Sequence, residues 1–153
     1  RFIISAMAQG RKATGIYRFA TTGPYSSPWL HTSTIVPSSS PITAGLSDFV
    51  VRSEHYYLHV DPAIEVLATT TFPLVTYFHA ANKQVQMPVA WTKYWGNGRV
   101  FYTSLGHHDD VFDLFPTAGE LMRRGMIWAA EGKQYARDHG LTTERFENSA
   151  KMY

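Results

Sequence analysis

Two short runs hold the residue types that could do chemistry, Glu54-His55-Tyr56-Tyr57 and, much later in the chain, His107-His108-Asp109-Asp110. Imidazole exchanges protons near neutral pH, which makes His107 and His108 candidate general acids or bases. Glu54, set among tyrosines and a histidine, is the candidate carboxylate partner, able to orient an imidazole or to accept substrate hydroxyls. His55, Tyr56, Tyr57, Asp109 and Asp110 are the candidate substrate-binding residues. Plainer roles compete with each of these. The histidines could bond only loop backbone, Glu54 could be a solvated loop acid, and one of the two aspartates could cap the next segment.

A metal is not expected. Adjacent histidines on an extended backbone point apart, and the chain has no His-x-His or His-Glu-x-x-His spacing. No cofactor is expected either. Ser104 lacks the Gly-x-Ser-x-Gly elbow that would strain and expose a nucleophile, so it reads as a small polar filler in a strand. The flat faces of Tyr56, Tyr57, Trp91 and Trp95 suit the C–H face of a sugar ring, although Trp91 and Trp128 read as core.

The second run must be delivered by the stretch before it, PVAWTKYWGNGRVFYTSLGHHDD from Pro88 to Asp110. Val89 to Tyr94 and Arg99 to Leu105 are strand-like and flank Gly96-Asn97-Gly98, whose tolerance of positive φ predicts a hairpin. Val100 to Leu105 does not alternate apolar with charged residues. It therefore reads as a strand inside a sheet, covered on both faces, that releases His107 at its carboxyl end. Further strands are expected over part of Lys12 to Ala20, His31 to Val36, Asp48 to Val51 and Ile64 to Thr70. Phe72 to Gln84 reads as a loop. Thr117-Ala118-Gly119-Glu120 has the capping-box pattern that opens a helix, with an apolar face through Leu121, Gly125 and Trp128. Gly125 implies close packing on the sheet, Gly132 a helix stop, and Lys133 to His139 a second, more polar helix.

Composition bounds the possibilities. A chain of 153 residues with 44% hydrophobic and 17% charged residues reads as one globular domain. Its 14 basic and 12 acidic residues are mixed along the chain, so no basic stripe proposes nucleic acid. No apolar run approaches the roughly 20 residues that a membrane helix needs. The absence of Cys excludes disulfides and thiolate chemistry and leaves the compartment open. The chain begins at Arg1 in mid-pattern with Phe2-Ile3-Ile4, which reads as a processed chain or a fragment.

Six blocks in order carry a family resemblance: Ser40 to Leu46 (SPITAGL), Glu54 to Tyr57 (EHYY), Val66 to Thr70 (VLATT), Pro88 to Trp91 (PVAW), Gly98 to His107 (GRVFYTSLGH) and Arg124 to Ala130 (RGMIWAA). Together they resemble the ThuA-like (trehalose utilisation) family. The resemblance implies an α/β fold of the flavodoxin-like, class I glutamine amidotransferase-like kind. That fold is a three-layer sandwich with a mostly parallel sheet and a β-hairpin, its amino-terminal part shortened here. It also implies a role with disaccharides or their 3-keto derivatives. His107 then stands where the amidotransferase fold places a catalytic histidine after the last core strand. Tyr17 and Ser40 depart from the family, which commonly has His at both positions.

The first reading is therefore an enzyme of carbohydrate metabolism that uses acid/base chemistry on a sugar, with a small-molecule carbohydrate as its partner. The second is a non-catalytic carbohydrate-binding or accessory domain. The third is a structural subunit, a homo-oligomer in which a second copy covers an incomplete sheet edge.

Overall fold

The computed structural model describes residues 17–18, 30–72 and 84–144. Among them, β1 (Tyr17–Arg18) pairs with β4 (Tyr56–Tyr57). A second sheet contains β2 (Leu30–Ile35), β3 (Phe49–Arg52), β5 (Glu65–Phe72), β6 (Val85–Trp95) and β7 (Gly98–Thr103) in the order β3-β2-β5-β6-β7. Helices α1 (Val111–Leu114) and α2 (Pro116–Asp138) follow.

Among the described residues every strand pairing is antiparallel, which overturns the expected mostly parallel, flavodoxin-like, class I glutamine amidotransferase-like three-layer sandwich. The physical reason lies in the connections. Parallel neighbours need a crossover, usually a helix, and among the described residues no helix stands between β1 and β7. The hairpin itself forms as expected, with Trp95 opposite Gly98. Only Gly96 takes a positive φ, at 59°, so the turn depends on that glycine rather than on Asn97. The strand after it does not lie inside the sheet. β7 is an edge strand, and its apolar character is accounted for by α2, which packs on it.

The core draws alternate residues from β3 and, where the β5–β6 register shifts, adjacent pairs from β5 and β6. Phe49 and Val51 of β3 face inward with Leu67, Ala68, Val89, Ala90 and Phe101 and meet Ala118 and Leu121 of α2. Pro88 sits well inside β6 and has no N–H to give the ladder. The register shifts beside it, between Val66 and Ala68 and again between Ala68 and Thr69, so the ladder is interrupted where a donor is lacking. The run from Phe72 to Gln84, expected as a loop, begins with the end of β5, and residues 73–83 lie outside the described residues. Most of the strand expected over Lys12 to Ala20 lies outside them too.

Three expectations for α2 are corrected. Its N-cap is Phe115, with no side-chain cap, and Pro116 opens the helix where a missing N–H costs nothing. Thr117 lies inside the first turn, and Glu120 is drawn away by the guanidiniums of Arg123 and Arg124, which hold its carboxyl down to about 2. Nor does Gly132 stop the helix. An added Cβ there would come within 2.6 Å of the Arg99 stem, so this glycine makes room for a side chain while the helix runs on to Asp138. The expected second helix is the end of the same one. It closes at Gly140, φ 57°, with Gly140 N–H donating to Arg137 O and Leu141 N–H to Ala136 O, a Schellman pair.

Gly125 does pack as expected. A Cβ at that position would lie 2.3 to 2.4 Å from the Phe101 ring. Arg124 Nη1 then donates to Ala44 O at 2.6 Å, tying the helix to the Ser40–Leu46 turn near β3. α2 thus touches strands at both edges of the sheet.

A buried polar pair lines the inward face of β2. Thr70 Oγ1 donates to Thr32 O at 2.9 Å, so its remaining capacity toward His31 Nδ1, 3.1 Å away, is to accept. That fixes the Nδ1–H tautomer of His31. The His31 and His55 rings lie 4.1 Å apart. Burial first, and the neighbouring His55 second, push His31 down to about 3, and burial lowers His55 as well.

Two predictions follow from this packing. Gly125→Ala should destabilise the protein by roughly 1–3 kcal/mol despite its better helix propensity, because ring overlap outweighs the ~1 kcal/mol gain. Thermal unfolding would show it as a lower Tm, and an unchanged or raised Tm would mean that Phe101 moves aside freely. The depressed His31 means that the unfolded chain takes up the proton first. Its stabilising contribution is complete above pH ~6.5 and is lost on acidification toward the folded value, at about 1.4 kcal/mol per pH unit. Urea midpoints measured from pH 7 to pH 5 should fall steeply, and more gently in His31→Gln.

Candidate functional site

Glu54 lies just past the end of β3. Strand alternation carries Phe49 and Val51 inward, and Ser53 continues the pattern before the chain turns Glu54 out of solvent as well, leaving it 4% exposed. A buried carboxylate requires donors. Tyr56, two residues on and so on the same side of an extended chain, donates its hydroxyl to Glu54 Oε2 at 2.8 Å. The second donor arrives from the far end of the sheet. His107 Nδ1 lies 3.1 Å from Glu54 Oε2 and 3.0 Å from the Tyr56 hydroxyl oxygen.

These distances fix the protons. The phenol has one hydrogen and gives it to Glu54, so the contact between Tyr56 and His107 requires Nδ1 to carry a hydrogen and to point it at the two oxygens. In the neutral ring the lone pair is then on Nε2. The His107 side chain is 31% exposed, held on its inner side by a buried acid and reaching solvent on its outer side.

The delivery of His107 is equally local. Ser104 N–H donates to Val89 O at 2.9 Å, extending the β6–β7 pairing one residue beyond β7, and Leu105 is buried at 1% exposure as an anchor. At Gly106 a Cβ would lie 2.5 Å from the Phe112 ring, so α1 can pack directly over the backbone and set where the chain turns. Ser104 itself is buried, its hydroxyl 3.4 Å from Val89 O, as expected of a filler.

The other candidates are placed as follows. The His108 ring meets His107 edge-on with centroids 4.6 Å apart and is exposed. Asp109 and Asp110 are exposed at the start of α1. Neither side chain caps the helix, and Asp109 Oδ1 accepts only the Asp110 N–H at 3.1 Å. The backbone carbonyls of His108, Asp109 and Asp110 receive the first N–H groups of α1 instead. His55 is turned toward His31. Tyr57 belongs to β4 opposite Tyr17. Trp91 stacks on Tyr102 at 4.8 Å, whereas Trp95 at the hairpin is 65% exposed.

Sequence reasoning brought Glu54 and His107 together and gave Tyr56 only a substrate contact. The Glu-x-Tyr spacing carries the missing signal, since residues i and i+2 of an extended chain share a side. His31 and Thr70 were not singled out. Among the described residues there is no group of three or more acidic, histidine or cysteine side chains that could hold a metal, and no helix long and apolar enough to cross a membrane.

No curated protein and no solved structure matches the chain. The profile of the family described as trehalose utilisation, ThuA, matches residues 7–129, a span that takes in Glu54, Tyr56, the hairpin and His107. The chain belongs to the ThuA (trehalose utilisation) family and, with it, to carbohydrate use.

Proposed function

We propose that Glu54, Tyr56 and His107 form an acid/base unit that acts on a sugar or keto-sugar. The observation that carries this reading is the convergence of two donors on one oxygen of a buried acid. A carboxylate that holds Nδ1–H keeps the imidazole in one tautomer and stabilises the imidazolium formed when Nε2 takes a proton. Tyr56 fixes the carboxylate that fixes the ring. For a 3-keto-sugar the step is removal of a proton α to the carbonyl by Nε2 and its return from the same nitrogen. Hydrolysis of a keto-glycoside uses the same nitrogen toward water. His108, Asp109 and Asp110, exposed beside His107, are the groups nearest in the chain to take substrate hydroxyls, with His55 and Tyr57 assigned the same role.

One observation favours the second reading, a carbohydrate-binding domain without turnover. Ser40, at a position where the family commonly has His, is buried and committed to a turn, its hydroxyl accepting from Ile42 N–H and its N–H donating to Ser38 Oγ. A group at that position serves the backbone here.

Incubation with 3-keto-trehalose, trehalose and sucrose, followed by NMR in D2O, separates the readings. Turnover, or deuterium uptake next to the carbonyl, should fall at least about 100-fold in His107→Ala, the usual loss for a general base. Tyr56→Phe keeps the ring and removes the hydroxyl that holds Glu54. It should lower kcat more than it raises KM. Saturable binding with no turnover in the unaltered protein would establish the binding domain, and turnover indifferent to His107→Ala would remove the acid/base unit from consideration.

A further inference from the structure

At the other end of β7 from His107, the hairpin tip and the end of α2 border an open cleft of about 330 Å³, lined by Tyr94, Asn97, Arg99, Gly132, Tyr135 and Leu141 among others. Its volume is at the lower end of what small-molecule sites offer. The lining combines flat apolar faces with fixed polar groups. Tyr94 is 64% and Tyr135 52% exposed, yet neither ring hangs loose. Tyr94 meets Trp128 edge-on at 5.8 Å, and Tyr135 stacks on His139 at 3.9 Å.

The polar groups are anchored as well. Asn97 Nδ2 donates to Thr142 O at 2.9 Å, which orients the side chain and leaves its Oδ1 as an acceptor at the rim. Arg99 lies along Gly132, its Nη1 donating to Trp128 O at 3.1 Å, while Nε and Nη2 remain as donors. Glu131 Oε2 lies 3.9 Å from Arg99 Nη1, so the cleft carries a donor array without an unbalanced positive charge. Paired donors and acceptors between aromatic faces fit a ligand with hydroxyls around its edge and C–H groups on its face.

We propose that this cleft is a second carbohydrate site, for a neutral pyranoside or disaccharide, separate from the acid/base unit. Tyr94 and Tyr135 supply the stacking faces, Arg99 donates to ring hydroxyls and Asn97 accepts from one. The choice of sugar rests on the family's carbohydrate role and on these side chains, not on the chemistry assigned to His107.

The test is an amide shift titration of the whole chain with trehalose, sucrose and glucose 6-phosphate at millimolar concentration. Saturable shifts should appear at Gly96, Asn97 and Gly132 with the neutral sugars. Tyr94→Ala and Tyr135→Ala should each weaken them roughly tenfold, the effect of losing one stacked ring. Tyr94→Phe should keep most of the affinity, and an unchanged circular dichroism spectrum would show that the variants fold. Glu54→Gln should leave these cleft shifts intact. Shifts confined to the residues around Gly106 and His107, or an affinity that ignores both tyrosines, would overturn the second site and leave the acid/base unit standing. Preference for the sugar phosphate, screened away by salt, would overturn the neutral-ligand assignment. Absence of saturable binding anywhere would overturn the second site together with the sugar-binding half of the proposed function.

Discussion

The buried carboxylate of Glu54 is the constraint that draws the rest together. Taken out of water, an ionised acid must be met by donors or be destabilised by several kcal/mol, on the order expected for unpaired buried polar groups. The acid and its imidazole donor come from opposite ends of the five-stranded order, because Glu54 follows β3 and His107 follows β7, the two edge strands, while Tyr56 donates from β4. In a flat sheet of this order those edges would lie roughly 19 Å apart, at about 4.8 Å per strand. The 3.1 Å contact therefore requires the strand ends to be brought round toward each other. α2 does part of this by touching both β7 and β3, with Arg124 reaching the carbonyl of Ala44. The site is thus a closure of the fold as much as a collection of side chains.

That closure depends on what is missing from certain residues. Gly125 lets the α2 backbone approach the Phe101 ring, and Gly106 lets Phe112 lie over the segment that delivers His107. A methyl group at either position would push the helices away from β7, and the distance from Nδ1 to Glu54 would grow with them. Packing and chemistry meet here in the same few ångströms, since a hydrogen bond is effectively gone once its atoms are more than about 3.5 Å apart.

Local features of this architecture were legible in the sequence, and its global arrangement was not. The hairpin could be read because Gly96 and Asn97 separate two apolar runs, and the strands around His31, Phe49 and Ile64 because β-branched and aromatic residues cluster between Pro, Gly and Ser. Strand direction leaves no such mark. Val100 to Leu105 looks like a strand covered on both sides, yet it is an edge strand, because an antiparallel edge capped by a helix asks for the same apolar residues as an interior parallel strand. Gly132 looked like a helix stop for a similar reason. Glycine at a C-terminus and glycine beneath a crossing arginine stem are the same letter. At the site, the pairing of Glu54 with His107 was foreseen from residue type, whereas the bridging hydroxyl of Tyr56 depends on an extended backbone that the polar, aromatic run did not announce.

Three histidines in this structure show how environment, rather than residue type, assigns the role. His31 and His107 both carry their hydrogen on Nδ1, the first toward a threonine hydroxyl and the second toward a carboxylate. A hydroxyl offers no charge to offset an imidazolium, and burial holds His31 neutral. A carboxylate does offer one, and His107 also reaches solvent. His55 sits between these cases in the chain, one residue from Glu54, but its ring faces His31, and burial holds it below the usual histidine range as well. Of the Nδ1 contacts of His31 and His107, only the one to Glu54 places a carboxylate beside the ring, and only His107 has its outer side open to solvent, which is why the proposed acid/base role falls to His107 and not to the buried His31.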